Sequence, residues 1–211
     1  MKSTAERAKG ALSGLTIIVF GVLIALWADA AWEERTDRLR EREVLSDLLE
    51  EFQENETVLE ENIEANTRSE AAFTAWAGAM LGTAPVSSDS LLVLWIASTD
   101  WARFDPVTGA LRSLLDGGEL RIIQDQDLRR ALAGWSDRTE EALSTSRDVV
   151  LEFSGLTPML LSLQPGTSYS LGERIAIANA VVLFRWRYAQ LIPLLPRLRE
   201  IISLLEGQLG S

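Results

Sequence analysis

Residues 10–28 carry no charged side chain, and within them 15–27 is almost wholly apolar (Leu15, Ile17, Ile18, Val19, Phe20, Val22, Leu23, Ile24, Leu26 and Trp27 among them). A helix that is apolar on every side belongs in a large core or in lipid, because water cannot solvate it. Extended to residues 11–32, the segment is about 20 residues long, and at about 1.5 Å of rise per residue it matches a hydrocarbon layer of about 30 Å. Trp27 and Trp32 fall where an interfacial aromatic belt would lie. No second stretch is comparable: Met159, Leu160 and Leu161 form a short run, and 191–195 is broken by Pro193. The sequence therefore predicts one transmembrane helix over 11–32.

Charge asymmetry orients it. The short N-terminal flank, 1–10, holds Lys2, Arg7 and Lys9 against Glu6, whereas the other side opens with Asp29, Glu33 and Glu34. The positive-inside rule places 1–10 in the cytoplasm and 33–211 outside it. The expected location is a bacterial inner membrane, single-pass, with the bulk of the chain periplasmic. A cleaved leader is the competing reading, since Ala28-Asp29-Ala30 fits a small-x-small processing site. The helical pattern continuing through that site opposes it. Gly10, Gly14, Gly21 and Ala25 form a stripe of small residues of the kind that lets membrane helices approach closely.

Composition removes most chemistries from the rest. The 211-residue chain has no Cys and no His. That excludes thiol nucleophiles, thiolate metal sites, Ser-His-Asp triads and His-ligated haem or zinc within this chain. A formal charge of −11 gives no electrostatic drive toward nucleic acid, which is bound chiefly by phosphate neutralisation. No cofactor and no metal is expected, and the chain reads as a non-enzyme.

Beyond the span the pattern is helical throughout, so the fold class is all-α, with the transmembrane helix continuing into a long helix of an exterior bundle. Strong helix formers with i,i+4 opposite charges fill 33–43, and Leu45, Leu48, Leu49, Phe52, Leu59 and Ile63 follow at helical spacing to about Asn66. Asn55, Asn62 and Asn66 lie on the same stripe and read as its solvated edge. A second helix is expected over 69–81 with Gly82 as its stop, and a third after a cap at Ser88 or Asp89. Asp105-Pro106 reads as a cap and first turn for a helix carrying Leu111, Leu114 and Leu115 to Gly117-Gly118. A β-prone connector over 119–123 follows. Asp125 caps the next helix, Pro158 and 164–166 punctuate the chain, and a last helical region over 171–209 is interrupted by Pro193 and Pro196.

Two clusters invite a chemical reading. Glu50, Glu51, Glu54, Glu56, Glu60, Glu61 and Glu64 form an acidic tract without the glycine turn or spacing of a calcium loop, which suits a solvated helix face. Phe184-Arg185-Trp186-Arg187-Tyr188 alternates aromatic and basic residues. Trp, Tyr and Arg dominate interface hot spots, so Arg185, Trp186 and Arg187, with Trp27 and Trp32, are the expected contacts for lipid or a partner. The alternative is an amphipathic helix with Phe184 and Tyr188 inward and both arginines reaching out to solvent.

With 21–26 leading to Trp32-Glu33-Glu34-Arg35, and with Leu111 to Leu115, Gly117-Gly118, 120–123 and Leu128 following, the chain resembles a widespread group of bacterial single-pass envelope proteins of unknown function. Those proteins often carry Asn before the Trp, where this chain has Asp29-Ala30-Ala31. The resemblance implies topology and supplies no catalytic residues. The expected role is an accessory or scaffolding subunit of a larger membrane complex, respiratory or photosynthetic assemblies being examples, with the lipid bilayer and other membrane subunits as partners. The alternative is a membrane-anchored periplasmic sensory or ligand-binding helical module.

Overall fold

The computed structural model describes residues 4–83, 87–165 and 167–210, with side chains from Phe20 onward apart from Ser88. Among these residues every regular element is helical: α1 (Thr4–Met80), α2 (Ser88–Thr99), α3 (Gly109–Asp116), a 3-10 turn (Leu120–Ile122), α4 (Gln126–Ser162), α5 (Leu171–Ala189) and α6 (Leu194–Leu209). The all-α expectation holds. Contacts divide the chain into two units, Met1–Leu45 and Ser46–Ser211.

In the first unit α1 presents Phe20, Val22, Leu23, Ile24, Leu26 and Trp27 to its surroundings on every side. Further along, Glu34 and Arg38 pair at 2.5 Å one turn apart, a spacing that supports an exposed helix. Among the described residues no helix is long and apolar enough to cross a membrane. Residues 11–19, the first part of the expected span, lie outside the described side chains, as do Gly10 and Gly14 of the expected packing stripe. The structure thus supports a helix over the expected anchor without establishing a span. A Cβ placed on Gly21 would meet open space.

The second unit is organised by α1. Phe73, Trp76, Ala77 and Met80 of α1 join Leu91 of α2, Leu160 of α4 and Ile177, Ala180 and Phe184 of α5 in one apolar core. At its centre the Phe73 and Phe184 rings stack at 4.6 Å and 7°, and Phe153 meets both edge-on. Nearer Ser46, Leu48, Phe52 and Leu59 of α1 are fully buried, as are Leu128 and Leu132 of α4 and Leu198 and Leu205 of α6. Phe52 packs on Trp135 at 5.6 Å.

One face of α1 also carries buried polar groups, and they are aimed at backbone. Ser69 donates to the Ser98 carbonyl (2.6 Å), and Asn66 to the Ala102 carbonyl (2.8 Å). Asn55 grips Val107 with both ends of its amide, Nδ2 to the carbonyl at 2.7 Å and Oδ1 from the N–H at 2.8 Å. Glu51 accepts the N–H groups of Ala110 (2.6 Å) and Leu111 (3.2 Å). Residues 100–108 have no regular structure, so their backbone groups need partners from elsewhere. The α1 side chains supply some of them, at Ala102 and Val107, and continue in antiparallel order to the helix ends on either side.

This ladder corrects several sequence expectations. Asn55, Asn62 and Asn66 are buried, not a solvated edge. Glu51 leaves the acidic tract to cap α3 from a distance, where Thr108 makes no side-chain cap bond. Burial raises the Glu51 pKa against the lowering pull of its two backbone donors. The helix expected from Asp105 begins only at Gly109, beyond Val107, whose N–H and C=O are both taken by Asn55. The break expected before residue 69 is absent, since Asn66 and Ser69 are engaged in tertiary bonds instead of capping. Elsewhere, 120–122 is a 3-10 turn in place of an extended connector. Asp125 caps α4 as expected, accepting from Leu128 N–H at 2.7 Å, and Gly82 terminates the α1 turn with φ of 74°. Helix α4 runs through Pro158 to Ser162. The ring removes one backbone donor, and Leu160 beyond it is seated in the core.

Truncating Asn55 leaves both backbone groups of Val107 without partners. Asn55→Ala is expected to lower unfolding free energy by about 1–2 kcal/mol, since Val107 is exposed and water can reach part of what the amide releases. Urea denaturation of the detergent-solubilised chain, with an unchanged slope, is the check.

Candidate functional site

Helix α5 is built to show two different faces near its C-terminal end. Ser170 starts it with a capping box: its hydroxyl accepts the Glu173 N–H, and the Glu173 carboxylate accepts the Ser170 N–H. The Ser170 hydroxyl also donates to the Glu173 carboxylate (2.7 Å), and that bond first, then the one from the Ser170 N–H, holds the Glu173 carboxyl below its usual range. Positions 177, 180, 184, 187 and 188 then share one side of the helix, and all five are buried. Positions 171, 175, 182 and 186 share the other, and Leu171, Ile175, Val182 and Trp186 are each more than half exposed.

The inward face contains a charge. Arg187 is 5% exposed. Its Nη2 donates to Asn66 Oδ1 at 3.0 Å, and its guanidinium lies over the rings of Phe184 (4.1 Å) and Trp101 (4.6 Å). Ser146 of α4 donates to the Arg187 carbonyl at 2.7 Å, fixing the helix beside it. Nε of Arg187 has no hydrogen-bond partner. Among the described residues no carboxylate pairs with it, and burial lowers its pKa to about 10. The group is still cationic at neutral pH. A cavity of about 440 Å3 opens beside it, walled by Trp101, Leu143, Val150, Leu151 and Leu191. A smaller one of about 210 Å3 shares Trp101, Val150 and Arg187 with it.

The neighbouring residues behave differently. Arg185 donates to Glu70 Oε1 of α1 (2.7 Å) and is itself exposed. The Tyr188 hydroxyl donates to Glu70 Oε2 (2.6 Å), and burial, reinforced by that bond, raises its pKa. Glu70 thus clamps α5 onto α1.

Of the expected contact residues, Trp27 and Trp32 are about three-quarters exposed, and Trp186 is exposed as well. Ala25 is also exposed. Arg185 is exposed and paired, while Arg187 is sealed in the interior. The sequence puts Arg185, Trp186 and Arg187 in one group, and the fold separates them. Phe184 and Tyr188 do point inward, as the amphipathic alternative has it, but Arg187 goes with them instead of reaching solvent. Asn66, Trp101 and Ser146 completed the site without being anticipated. A signal was present for the arginine, since 180, 184, 187 and 188 are spaced as one buried helix face.

Among the described residues no group of three or more acidic side chains is placed to hold a metal ion. Compared with protein-family models, curated proteins and solved structures, the chain gives no match in any of the three.

Removing the Tyr188 hydroxyl leaves a buried carboxylate oxygen with one donor fewer. Tyr188→Phe is expected to cost about 1 kcal/mol of stability. Arg185→Ala is expected to leave the unfolding midpoint unchanged, because solvent screens an exposed pair. Urea unfolding of the two variants side by side separates the contributions.

Proposed function

We propose that this chain is a non-enzymatic accessory or scaffolding subunit of a larger membrane complex. In this reading 1–10 is cytoplasmic, 11–32 is a transmembrane helix in a bacterial inner membrane, and 33–211 is periplasmic. The resemblance to single-pass envelope proteins is part of the same reading.

The observation that carries it is the bare apolar helix from Phe20 to Trp27. Six large apolar side chains there are more than half exposed, on all sides of α1. At about 25 cal/mol per Å2 of apolar surface, leaving such a segment in water is unfavourable, and lipid or another apolar helix is what covers it. Charged and apolar residues exchange abruptly at Asp29, with Trp27 and Trp32 flanking that point, as at a membrane–water interface. The outward stripe of α5 adds a second uncovered face in the exterior part. Leu171, Ile175, Val182 and Trp186 form one row, with an aromatic residue of the kind that anchors interfaces. Gly21 and Ala25 offer close approach to a neighbouring membrane helix.

Two measurements bear on this role. Native protein should stay in the membrane pellet through an alkaline carbonate wash, while a Leu23→Arg, Ile24→Arg double variant should appear in the wash. Each arginine at the centre of a span costs about 2.5–3.5 kcal/mol on insertion scales. Native protein released by the wash would remove the anchor. Separately, Val182→Glu with Trp186→Glu should shift the mild-detergent extract from a large species to a small one on a native gel, with the thermal midpoint unchanged. A native chain that already runs as a monomer contradicts the subunit role.

A further inference from the structure

We infer that the cavity beside Arg187 is a binding site for a small organic carboxylate with an apolar or aromatic body. This goes beyond the subunit role and does not depend on it.

The case starts with an unbalanced charge. A buried arginine is ordinarily paired with a carboxylate, because desolvating the guanidinium is costly and only an anion compensates it well. Arg187 is buried, with 5% of its surface exposed. Its one side-chain hydrogen bond is to a neutral amide, and its Nε–H has no acceptor. The chain has 31 acidic residues against 20 basic ones, yet none of the described acids pairs with this cation. The two rings beneath it stabilise the cation from its faces but give its Nε–H no acceptor. A fork of planar N–H groups fits a carboxylate in two parallel bonds.

The cavity supplies the rest of the recognition. Its volume of about 440 Å3 lies within the range of small-molecule sites. Arg103, Arg147 and Arg187 line it against Asp105 alone, a local charge of 3 − 1 = +2 within a chain of −11. A local excess of positive charge of this kind attracts a negative ligand. The walls are apolar: Leu143, Val150 and Leu151 from α4, Leu191 after α5, and Trp101 from the irregular segment. Inorganic phosphate would leave those walls without contact, so the charged end and the apolar body are both required.

The same geometry accounts for the polar ladder reaching this far. Asn66 holds the Ala102 carbonyl with Nδ2 and the Arg187 guanidinium with Oδ1. It thereby fixes the Trp101 wall and the cation relative to each other before any ligand arrives. Preorganisation of this kind lowers the ordering cost of binding.

The probes are phenylacetate, its neutral amide phenylacetamide, and inorganic phosphate, titrated into the full chain in mild detergent. Readouts are melting temperature and tryptophan fluorescence, with Trp101→Phe assigning the signal to the cavity wall. Phenylacetate is expected to raise the melting temperature and to change fluorescence saturably at millimolar concentration or below. Phenylacetamide and phosphate are expected to do neither. Arg187→Met should fold with an unchanged or higher melting temperature, since an uncompensated cation is removed, and should weaken phenylacetate binding by at least about tenfold. Val150→Phe fills the cavity while leaving the guanidinium intact and should also abolish the response; it decides the matter if Arg187→Met does not fold. Equal responses to acid and amide, full binding by Val150→Phe, or no response to phenylacetate would each overturn the site. A response to phosphate alone would replace the carboxylate with a bare oxyanion and overturn the assigned ligand class.

Discussion

Hydrogen bonds between side chains of one helix and the backbone of an irregular stretch of chain underlie the second unit. Residues 100–108 have no regular structure, with Phe104 alone fully buried among them, so their N–H and C=O groups find no partners in a helix or a sheet ladder. Asn55 and Asn66 bond Val107 and Ala102 within the segment, while Glu51 and Ser69 bond the helix ends that flank it at Ala110, Leu111 and Ser98. The ladder does for this segment what a neighbouring strand would do in a sheet. It also starts α3, since Glu51 stands in for a local cap at the positive end of that helix.

Placement of the Arg187 site follows from the ladder. Trp101 and Ala102 lie in the held segment, Asn66 on the helix that holds it, and Arg187 on α5, which Glu70 ties to α1 through Tyr188 and Arg185. Three elements thus converge on one guanidinium. The apolar stack of Phe73, Phe153 and Phe184 closes one side of it. The core and the polar site are therefore parts of one construction, sharing Phe184 as a wall.

The chain departs from the rule that charged groups face water, and it does so on one helix in two opposite ways. On α5 an arginine is inside while Leu171, Ile175, Val182 and Trp186 are outside. An arrangement that exposes apolar surface and buries a cation sacrifices stability in both directions. Such exceptions gather where a molecule meets something else, and here they motivate both the partner surface and the ligand site.

What the sequence determined by itself is everything governed by local chemistry. Uninterrupted helix formers, apolar residues at helical spacing and the stops at Gly82 and Gly117-Gly118 require an all-helical chain, and Asp125 caps α4 because its side chain reaches the Leu128 N–H within one turn. The missing Cys and His exclude whole families of reaction on composition alone. Only the tertiary structure decided where Asn55, Asn66 and Glu51 act, since their partners lie 36 to 60 residues away. An Asn on a helix stripe has the same local pattern whether it meets water or a distant backbone. For Arg187 the spacing marks the helix face it shares with Phe184 and Tyr188, but only the packing decides that Asn66 and Trp101 meet it there. Local spacing sets the side of a helix on which a residue falls; long-range packing sets what it finds there.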